Sequence, residues 1–159
     1  ILQLYPNDKI LVHTTSYPVR DYLRFRLDPS RVITHDTDNR AEKLEEFKQS
    51  RKPLVMLSPS FDRGIDLPGD FCRIVIIAKI PYADLGDHQI KARMEAPGGN
   101  KWYLLHTVHT IVQMSGRGVR GPGDFCRCFI LDKQFAKVYQ RANHLFPDWW
   151  KAALTSDIA

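Results

Sequence analysis

Short apolar runs of four to six residues alternate along this chain with longer amphipathic segments. The runs are rich in Val and Ile and predict strands at residues 10–13, 31–35, 53–57, 73–78 and 126–131. Helical spacing of apolar residues predicts helices at residues 19–27, 41–49, 87–95, 102–114, 134–145 and 149–154. Because strands separated by helices imply βαβ crossovers, we expect a three-layer α/β fold. It would hold a mostly parallel central sheet of about five or six strands, with helices on both faces.

The charge balance favours an anionic partner. The 159 residues carry a net charge of +5, and residues 89–127 account for +4 of it. The apolar runs are too short to cross a membrane, and the N-terminus has no features of a secretory signal, so we expect no membrane partner. These features predict a cytoplasmic protein, or a nuclear one in a eukaryote. The chain begins at Ile1 without an initiator Met, so we expect an excised piece or a processed chain.

The sequence predicts no metal site within this chain. Its three cysteines, Cys72, Cys126 and Cys128, have no C-x-x-C spacing, so we expect buried free thiols in a reducing compartment. His106 and His109 lie three residues apart on a predicted helix, but no third ligand accompanies them. No phosphate-binding loop of the form G-x-x-x-x-G-K-[ST] occurs in the chain.

Residues 113–120 form the first candidate for phosphate chemistry. They contain Gln113-x-x-Gly116-Arg117-x-x-Arg120 at the end of a predicted amphipathic helix. Glycines allow a ligand close to the backbone, and two guanidinium groups can bind phosphate oxygens in bidentate fashion. The alternative is a solvated basic turn.

Two other loops follow predicted strands, where ligands bind in parallel sheets. In residues 58–69, Asp66 could accept hydrogen bonds from a ribose or an arginine, and Ser58 and Ser60 could bind phosphates; the alternative is a surface loop. After the first strand come Thr15, Ser16 and Tyr17, whose hydroxyls and aromatic ring suit contacts with a nucleic-acid backbone. Helix capping by Thr15 or Ser16 is an equally good interpretation, and it is compatible with the first.

A hexapeptide occurs twice, as Pro-Gly-Asp-Phe-Cys-Arg at residues 68–73 and again at residues 122–127. Each copy leads into an apolar strand, and nothing else repeats at that spacing, so we expect one turn used twice rather than a solenoid. Trp149 and Trp150 could stack on bases, but a C-terminal helix docked on the sheet is the favoured alternative.

Taken together and in order, the three loops resemble motifs IV, V and VI of a superfamily 2 helicase. The Gln-x-x-Gly-Arg-x-x-Arg form, the segment Gly64-Ile-Asp66-Leu-Pro-Gly and the residues Leu131-Asp132-Lys133 with Phe135 resemble the DinG and XPD-like subgroup. A segment at residues 80–93 resembles the stretch between motifs V and VI. One departure is Arg63, which stands where that subgroup usually has an acid, and which could contact DNA or pair with Asp62.

The resemblance implies the second RecA-like motor lobe of an ATP-dependent DNA helicase over residues 9–147, with a lead-in at residues 1–8 and a helical tail at residues 148–159. ATP with Mg²⁺ would bind mainly to the other, N-terminal RecA-like lobe, which would also carry any iron–sulfur cluster, and this chain alone would be inactive. The resemblance assigns catalysis to Arg117, Arg120 and Gln113. It assigns nucleotide binding to Gly64, Asp66 and Gly116, and single-stranded DNA binding to Thr15, Ser16, Tyr17, Arg63, Lys91 and Arg93.

Two other function classes compete with this interpretation. A non-catalytic nucleic-acid-binding or scaffold lobe would keep the fold without the motor, but the presence of Arg117 and Arg120 favours the motor. A self-sufficient small-molecule enzyme is disfavoured, because no nucleophile–base pair or metal cluster is evident in the sequence.

Overall fold

A five-stranded parallel sheet, described by a computed structural model, organises the first part of the chain. The structure describes residues 1–61, 65–119, 121 and 123–155. The chain divides into two compact units, the first formed by Ile1–Lys79 with Gln113–Asp132 and the second by Ile80–Val112 with Lys133–Ala159.

The sheet lies entirely in the first unit, in the order β2-β3-β1-β4-β5. Its strands are β1 (Ile10–His13), β2 (Val32–Thr34), β3 (Val55–Ser58), β4 (Ile74–Ile77) and β5 (Arg127–Ile130). All neighbouring strands pair in parallel, with Ile10 of β1 opposite Val55 on one side and Ile74 on the other. The carboxyl ends of all five strands therefore meet at one edge, which we call the carboxyl edge; the opposite edge is the amino edge.

A helix covers each face of the sheet in the first unit. On one face, Leu11, Met56 and Val75 pack with Leu44 and Phe47 of α2 (Arg40–Gln49). On the other face, the alternate strand residues pack with Leu23 of α1 (Tyr17–Arg24) and with Leu27 just beyond it. The predicted α/β fold in three layers is confirmed, because the central strands β1, β3 and β4 are buried on both faces, as expected for a parallel sheet between helices.

The second unit is helical. It contains α3 (His88–Glu95), most of α4 (Gly99–Ser115), α5 (Gln134–Ala142), a short 3-10 helix at Asn143–Leu145 and α6 (Asp148–Ala152). Trp150 stacks on Phe146 with ring centroids 4.6 Å apart and meets Phe135 edge-on, whereas Trp149 is 65% exposed. No helix in the described ranges combines the length and apolar character needed to cross a membrane.

Several predicted helix boundaries are wrong, among them the ends of the first and last helices, which lie at Arg24 and Ala152. The helix predicted from residue 19 begins at Tyr17, because Ser16 takes the N-cap position and Pro18 suits the first turn. The break predicted at residues 97–100 is shorter, since Gly98 reverses the chain at φ +80° and α4 already begins at Gly99. The helix predicted to residue 145 ends as α-helix at Ala142 and continues as a 3-10 turn.

Each copy of the repeated hexapeptide places a turn with a left-handed glycine before one of two adjacent strands. The glycine of each copy is left-handed, with φ +58° at Gly69 and φ +84° at Gly123, and the copies lead into β4 and β5. Arg73 of the first copy joins them: its guanidinium donates to Asp124 Oδ1 at 2.6 Å and to the Phe125 carbonyl at 3.0 Å, and it lies over the Phe125 ring. The two turns thus form a connected layer at the amino edge.

Candidate functional site

Polar side chains are buried at the carboxyl ends of the three strands β1, β2 and β3. His13, Thr14, His35 and Ser58 each expose 1% or less of their surface. Buried polar groups normally have hydrogen-bond partners, and ligands of parallel sheets bind at this edge. The carboxyl edge of the first unit is therefore the candidate functional site.

His35 and Ser58 form a hydrogen-bond network after β2 and β3. The His35 Nδ1 nitrogen lies 3.0 Å from the Asp36 carbonyl, and the Nε2 nitrogen lies 2.7 Å from Ser58 Oγ. Because a carbonyl only accepts, Nδ1 carries the proton and Nε2 accepts from the serine hydroxyl. Ser58 Oγ in turn accepts from the backbone N–H groups of Ser60 and Phe61. The network fixes the start of the segment that follows β3.

The His35 ring is held neutral by its surroundings. Burial lowers its pKa, the bond to the Asp36 carbonyl opposes that shift, and the charges of Arg40 and Arg20 add to it. Phe61 stacks on the ring at 4.6 Å between centroids. Only a neutral imidazole can accept a hydrogen bond from the Ser58 hydroxyl, so the network depends on this protonation state.

Arg20 ties α1 to the loop after β2. Its guanidinium donates to the His35 carbonyl at 2.6 Å and to Asp36 Oδ1 at 2.7 Å, and it is nearly buried. The hydrogen bond from the Arg20 guanidinium to Oδ1 lowers the pKa of the Asp36 carboxyl. Sequence reasoning missed Arg20 and His35 and left open whether Ser58 binds phosphate; the Ser58 hydroxyl is buried and already bonded to His35. The signal available in the sequence was the presence of a histidine, His13 or His35, at the end of each of the first two predicted strands.

The predicted DNA-binding loop after β1 has an unusual backbone. Thr15 has φ +58°, a left-handed conformation that a β-branched residue rarely adopts and that costs about 1–3 kcal/mol. Ser16 stands at the N-cap of α1 without a side-chain cap hydrogen bond. Tyr17 is 40% exposed, and its hydroxyl lies 3.1 Å from Thr37 Oγ1. The Ser16 side chain is thus not used for capping, one of the two interpretations the sequence left open.

Arg117 joins the two predicted phosphate-binding segments. It is half-buried, and one terminal nitrogen donates to the Ile65 carbonyl at 3.2 Å. Gly116 beside it is also half-buried, and Gln113 is exposed near the end of α4. The structure therefore places Arg117 against the residue that precedes Asp66.

His13 faces this arginine segment from the end of β1. Among the described residues, neither ring nitrogen makes a hydrogen bond of standard geometry, although the Met114 backbone lies close to the ring. Burial and the charge of Arg117 lower the pKa of His13 to about 3, against the opposing effect of the Met114 backbone. The imidazole is therefore neutral beside the guanidinium across the physiological pH range.

Asp66 borders an open cavity. It is exposed and lines a space of about 570 Å³ together with Glu45, Lys48, Gln49, Pro68 and Phe71. Three predicted site residues, Arg63, Gly64 and Arg120, lie outside the described residues.

Gly118 packs the segment after Arg117 onto the sheet. A Cβ atom added at this position would lie 2.4 Å from the Cys72 carbonyl oxygen and 2.8 Å from Cys126 Sγ. Distances this short exclude any side chain without a backbone shift. The glycine is needed for close packing, a role that the sequence pattern did not reveal.

The cysteines are free thiols with little nucleophilic character. Burial raises the pKa of Cys72 to about 12 and that of Cys126 to about 11, and it raises the pKa of Cys128 further. Within the part of the chain that the structure describes, no group of three or more His, Cys, Asp or Glu side chains is arranged to hold a metal ion.

Lys91 and Arg93, the other predicted DNA-binding residues, are exposed on α3 in the second unit. The helix begins at Asp87, whose side chain caps it by accepting from the N–H groups of Gln89 and Ile90. Arg93 lies over the ring of Trp102, with its Cζ 4.3 Å from the centroid.

Residues 1–153 match the model of the family described as the helicase C-terminal domain. The chain belongs to this family. The match covers nearly the whole chain and confirms the resemblance to the DinG and XPD-like helicases.

Named relatives agree with that placement. The chain is 31% identical over 99 residues to the ATP-dependent DNA helicase YoaA of Escherichia coli strain K12, a match that covers 58% of this chain and 16% of the relative. It is 22% identical over 156 residues to the ATP-dependent DNA helicase XPD of Sulfolobus acidocaldarius, covering 90% of this chain and 28% of that protein. The chain thus spans less than a third of these two relatives.

Solved structures show the same fold. An apo XPD structure aligns with a TM-score of 0.69 at 23% identity, over 92% of this chain and 33% of that one. The C-terminal domain of the DEAD-box protein Dbp5 aligns with a TM-score of 0.55 at 15% identity, over 89% of this chain and 76% of that domain. These likenesses confirm the RecA-like α/β fold.

Proposed function

We propose that this chain is the second motor lobe of an ATP-dependent DNA helicase. In this proposal it supplies arginine fingers to ATP bound at an N-terminal RecA-like lobe and contacts single-stranded DNA during translocation. The observation that carries the proposal is the hydrogen bond from Arg117 to the Ile65 carbonyl, because it links the segments that resemble motifs V and VI. Membership in the helicase C-terminal domain family and relatives named as ATP-dependent DNA helicases support it.

On the nucleotide side, Arg117 and Arg120 would stabilise the charge on the transferring γ-phosphoryl group. Positioned cations do this without covalent chemistry. Gln113 would orient the arginines, while Gly64, Asp66 and Gly116 would lie near the nucleotide. The neutral His13 is compatible with this role, since it does not repel the Arg117 guanidinium beside it. ATP and Mg²⁺ would be held mainly by the other lobe.

On the DNA side, Thr15, Ser16 and Tyr17 would meet the strand at the carboxyl edge, together with Arg63. Lys91 and Arg93 would add phosphate contacts from the second unit. The left-handed Thr15 supports this assignment, because backbone strain is concentrated at functional loops. Closure of the two lobes on ATP and opening after hydrolysis would move the strand, and a role in DNA repair in the cytoplasm or nucleus would follow.

The test uses the full-length polypeptide that carries this chain. Arg117→Ala and Arg120→Ala should each lower the DNA-stimulated kcat for ATP hydrolysis by about 100-fold or more, because an arginine finger acts mainly in the transition state. The KM for ATP should change much less. Steady-state hydrolysis with saturating single-stranded DNA measures both quantities.

Arg127→Ala is the matched control, since Arg127 belongs to the same unit but contacts Tyr5 at the amino edge. It should retain wild-type turnover. Wild-type turnover in both finger variants would refute the proposal, as would ATP hydrolysis by the 159-residue chain alone. A full-length protein that binds DNA without hydrolysing ATP would instead establish the non-catalytic nucleic-acid-binding lobe.

A further inference from the structure

An arginine–tryptophan pair stands between α3 and α4 in the second unit. The Arg93 guanidinium carbon lies 4.3 Å from the centroid of the Trp102 ring, a distance typical of a cation–π contact. Arg93 is exposed and Trp102 is partly exposed, so solvent reaches the pair. The Trp102 ring also meets the rings of His106 and Tyr103, with centroids 5.5 Å and 6.4 Å away, so the part available to a ligand is the face that the exposed cation covers.

Gly99 builds this pair into the fold. A Cβ atom at this position would lie 2.1 Å from the Met94 carbonyl oxygen and 2.3 Å from the Arg93 carbonyl oxygen. Only glycine therefore lets α4 begin directly against the last turn of α3. Trp102 follows within the first turn of α4, which brings its indole over Arg93.

The charge around the pair suits an anionic strand. Between residues 91 and 101 the exposed charged residues are Lys91, Arg93 and Lys101, opposed by Glu95, for a local net charge of +2. Proteins that bind single-stranded nucleic acid combine aromatic rings, on which bases stack, with cations that follow the phosphates. Arg93, Trp102 and their basic neighbours have this composition.

We propose that Trp102 is a base-stacking residue for single-stranded DNA and that Arg93 is its exchangeable cover. A base takes the place of the guanidinium on the indole, and the released Arg93 pairs with a neighbouring phosphate. The exchange is favourable, because stacking a base on an aromatic ring strengthens binding about 5- to 150-fold, whereas an exposed cation–π contact contributes only about 2- to 5-fold. This inference rests on the proposed DNA-binding function and adds a base contact to it.

The first experiment separates base contacts from phosphate contacts. Fluorescence anisotropy would compare the binding of the full-length polypeptide to oligo(dT) and to an abasic oligonucleotide of the same length. Trp102→Ala should weaken oligo(dT) binding about 5- to 150-fold and leave abasic binding unchanged. Trp102→Phe should fall between that variant and the wild type. Trp149→Ala, which removes an exposed tryptophan elsewhere in the same unit, should bind both strands as the wild type does.

The second experiment tests the arginine. Arg93→Ala should lower the slope of log affinity against log salt by about 0.7, the value of one phosphate contact on a single strand. Arg93→Lys should restore that slope because it restores the charge. An unchanged slope in Arg93→Ala would overturn the exchange.

The outcomes distinguish this inference from the proposed function. If oligo(dT) binding is the same in Trp102→Ala and the wild type, or if both strands are weakened equally, Trp102 does not stack on bases and the inference fails. In that case the arginine-finger test can still succeed, because it depends on Arg117 and not on Trp102. A wild-type protein that neither binds oligo(dT) nor hydrolyses ATP faster in its presence would refute both proposals.

Discussion

At the carboxyl edge of the sheet the polar side chains that end the strands are buried and uncharged, whereas at the amino edge the paired side chains are charged and partly exposed. His13, His35 and Ser58 lie at the first edge, with at most 1% of their surface exposed. At the second edge, Arg73 pairs with Asp124, and their side chains expose 23% and 16% of their surface. The two edges therefore respond to different conditions: the carboxyl edge to proton concentration, the amino edge to salt.

The difference follows from what each kind of contact contributes. A buried hydrogen bond is costly to break, because the remaining group is left without a partner in a low-dielectric environment. A partly exposed ion pair is screened and contributes little. Buried hydrogen bonds suit a site whose chemistry depends on exact positions. A turn that only leads into a strand needs no more than a partly exposed ion pair.

The largest expected effect is acid destabilisation through the carboxyl edge. Unfolded histidines titrate near pH 6.5, and burial lowers the folded pKa values of His13 and His35, so the unfolded state binds more protons below that pH. Stability is therefore complete above about pH 6.5 and falls on acidification, by up to about 1.4 kcal/mol per pH unit for each histidine. Urea unfolding between about pH 7 and pH 5 measures the slope.

The variants of this experiment separate the two edges. His13→Gln and His35→Gln should each reduce the slope of stability against pH, whereas Arg73→Ala should lower stability and keep the slope. An identical slope in the wild type and the double histidine variant would show that the carboxyl edge is not the pH-sensitive one.

The next effect is the loss of the Ser58 hydroxyl. Ser58→Ala should destabilise the chain by about 1–3 kcal/mol, because the N–H groups of Ser60 and Phe61 lose their acceptor and His35 loses its donor. Ser60→Ala, two residues away and only partly buried, should cost about 0.5 kcal/mol or less. Equal losses in the two variants, measured by urea unfolding, would contradict the network.

The smallest effect is expected at the amino edge. Arg73→Ala removes the pairs with Asp70 and Asp124 and the contact with Phe125, and it should cost about 1 kcal/mol or less. High salt should shrink this loss, because it screens exposed charges, and should leave the Ser58→Ala loss unchanged. A loss for Arg73→Ala that exceeds that of Ser58→Ala, or that does not respond to salt, would erase the contrast between the edges.

The fold could be predicted because its signals are local. Apolar runs of strand length and helical spacing are readable within a few residues, and parallel pairing follows from their alternation. The turn before each of β4 and β5 was predictable for the same reason, since Pro-Gly favours a turn by itself; the left-handed conformation of Gly69 and Gly123 comes from the structure. Helix ends were less predictable, because they depend on single caps and turns.

The contacts within the site could not be predicted, because they join residues distant in sequence. Arg20 meets the His35 carbonyl fifteen residues away, and Arg117 meets the Ile65 carbonyl fifty-two residues away. Ser58 looked like a phosphate ligand because a serine after a strand does not show whether its hydroxyl faces solvent or a histidine. The pairing of Arg93 with Trp102 was equally hidden, since it depends on how closely Gly99 approaches α3.

The packing of Gly118 has a mechanical consequence. This residue immediately follows Arg117, and its backbone contacts the Cys72 carbonyl and Cys126 with no space for even a methyl group. The chain at Gly118 therefore has no free space on the side of Cys72 and Cys126. A change in the position of Gly118 would therefore require the chain that enters β4 and β5 to move as well.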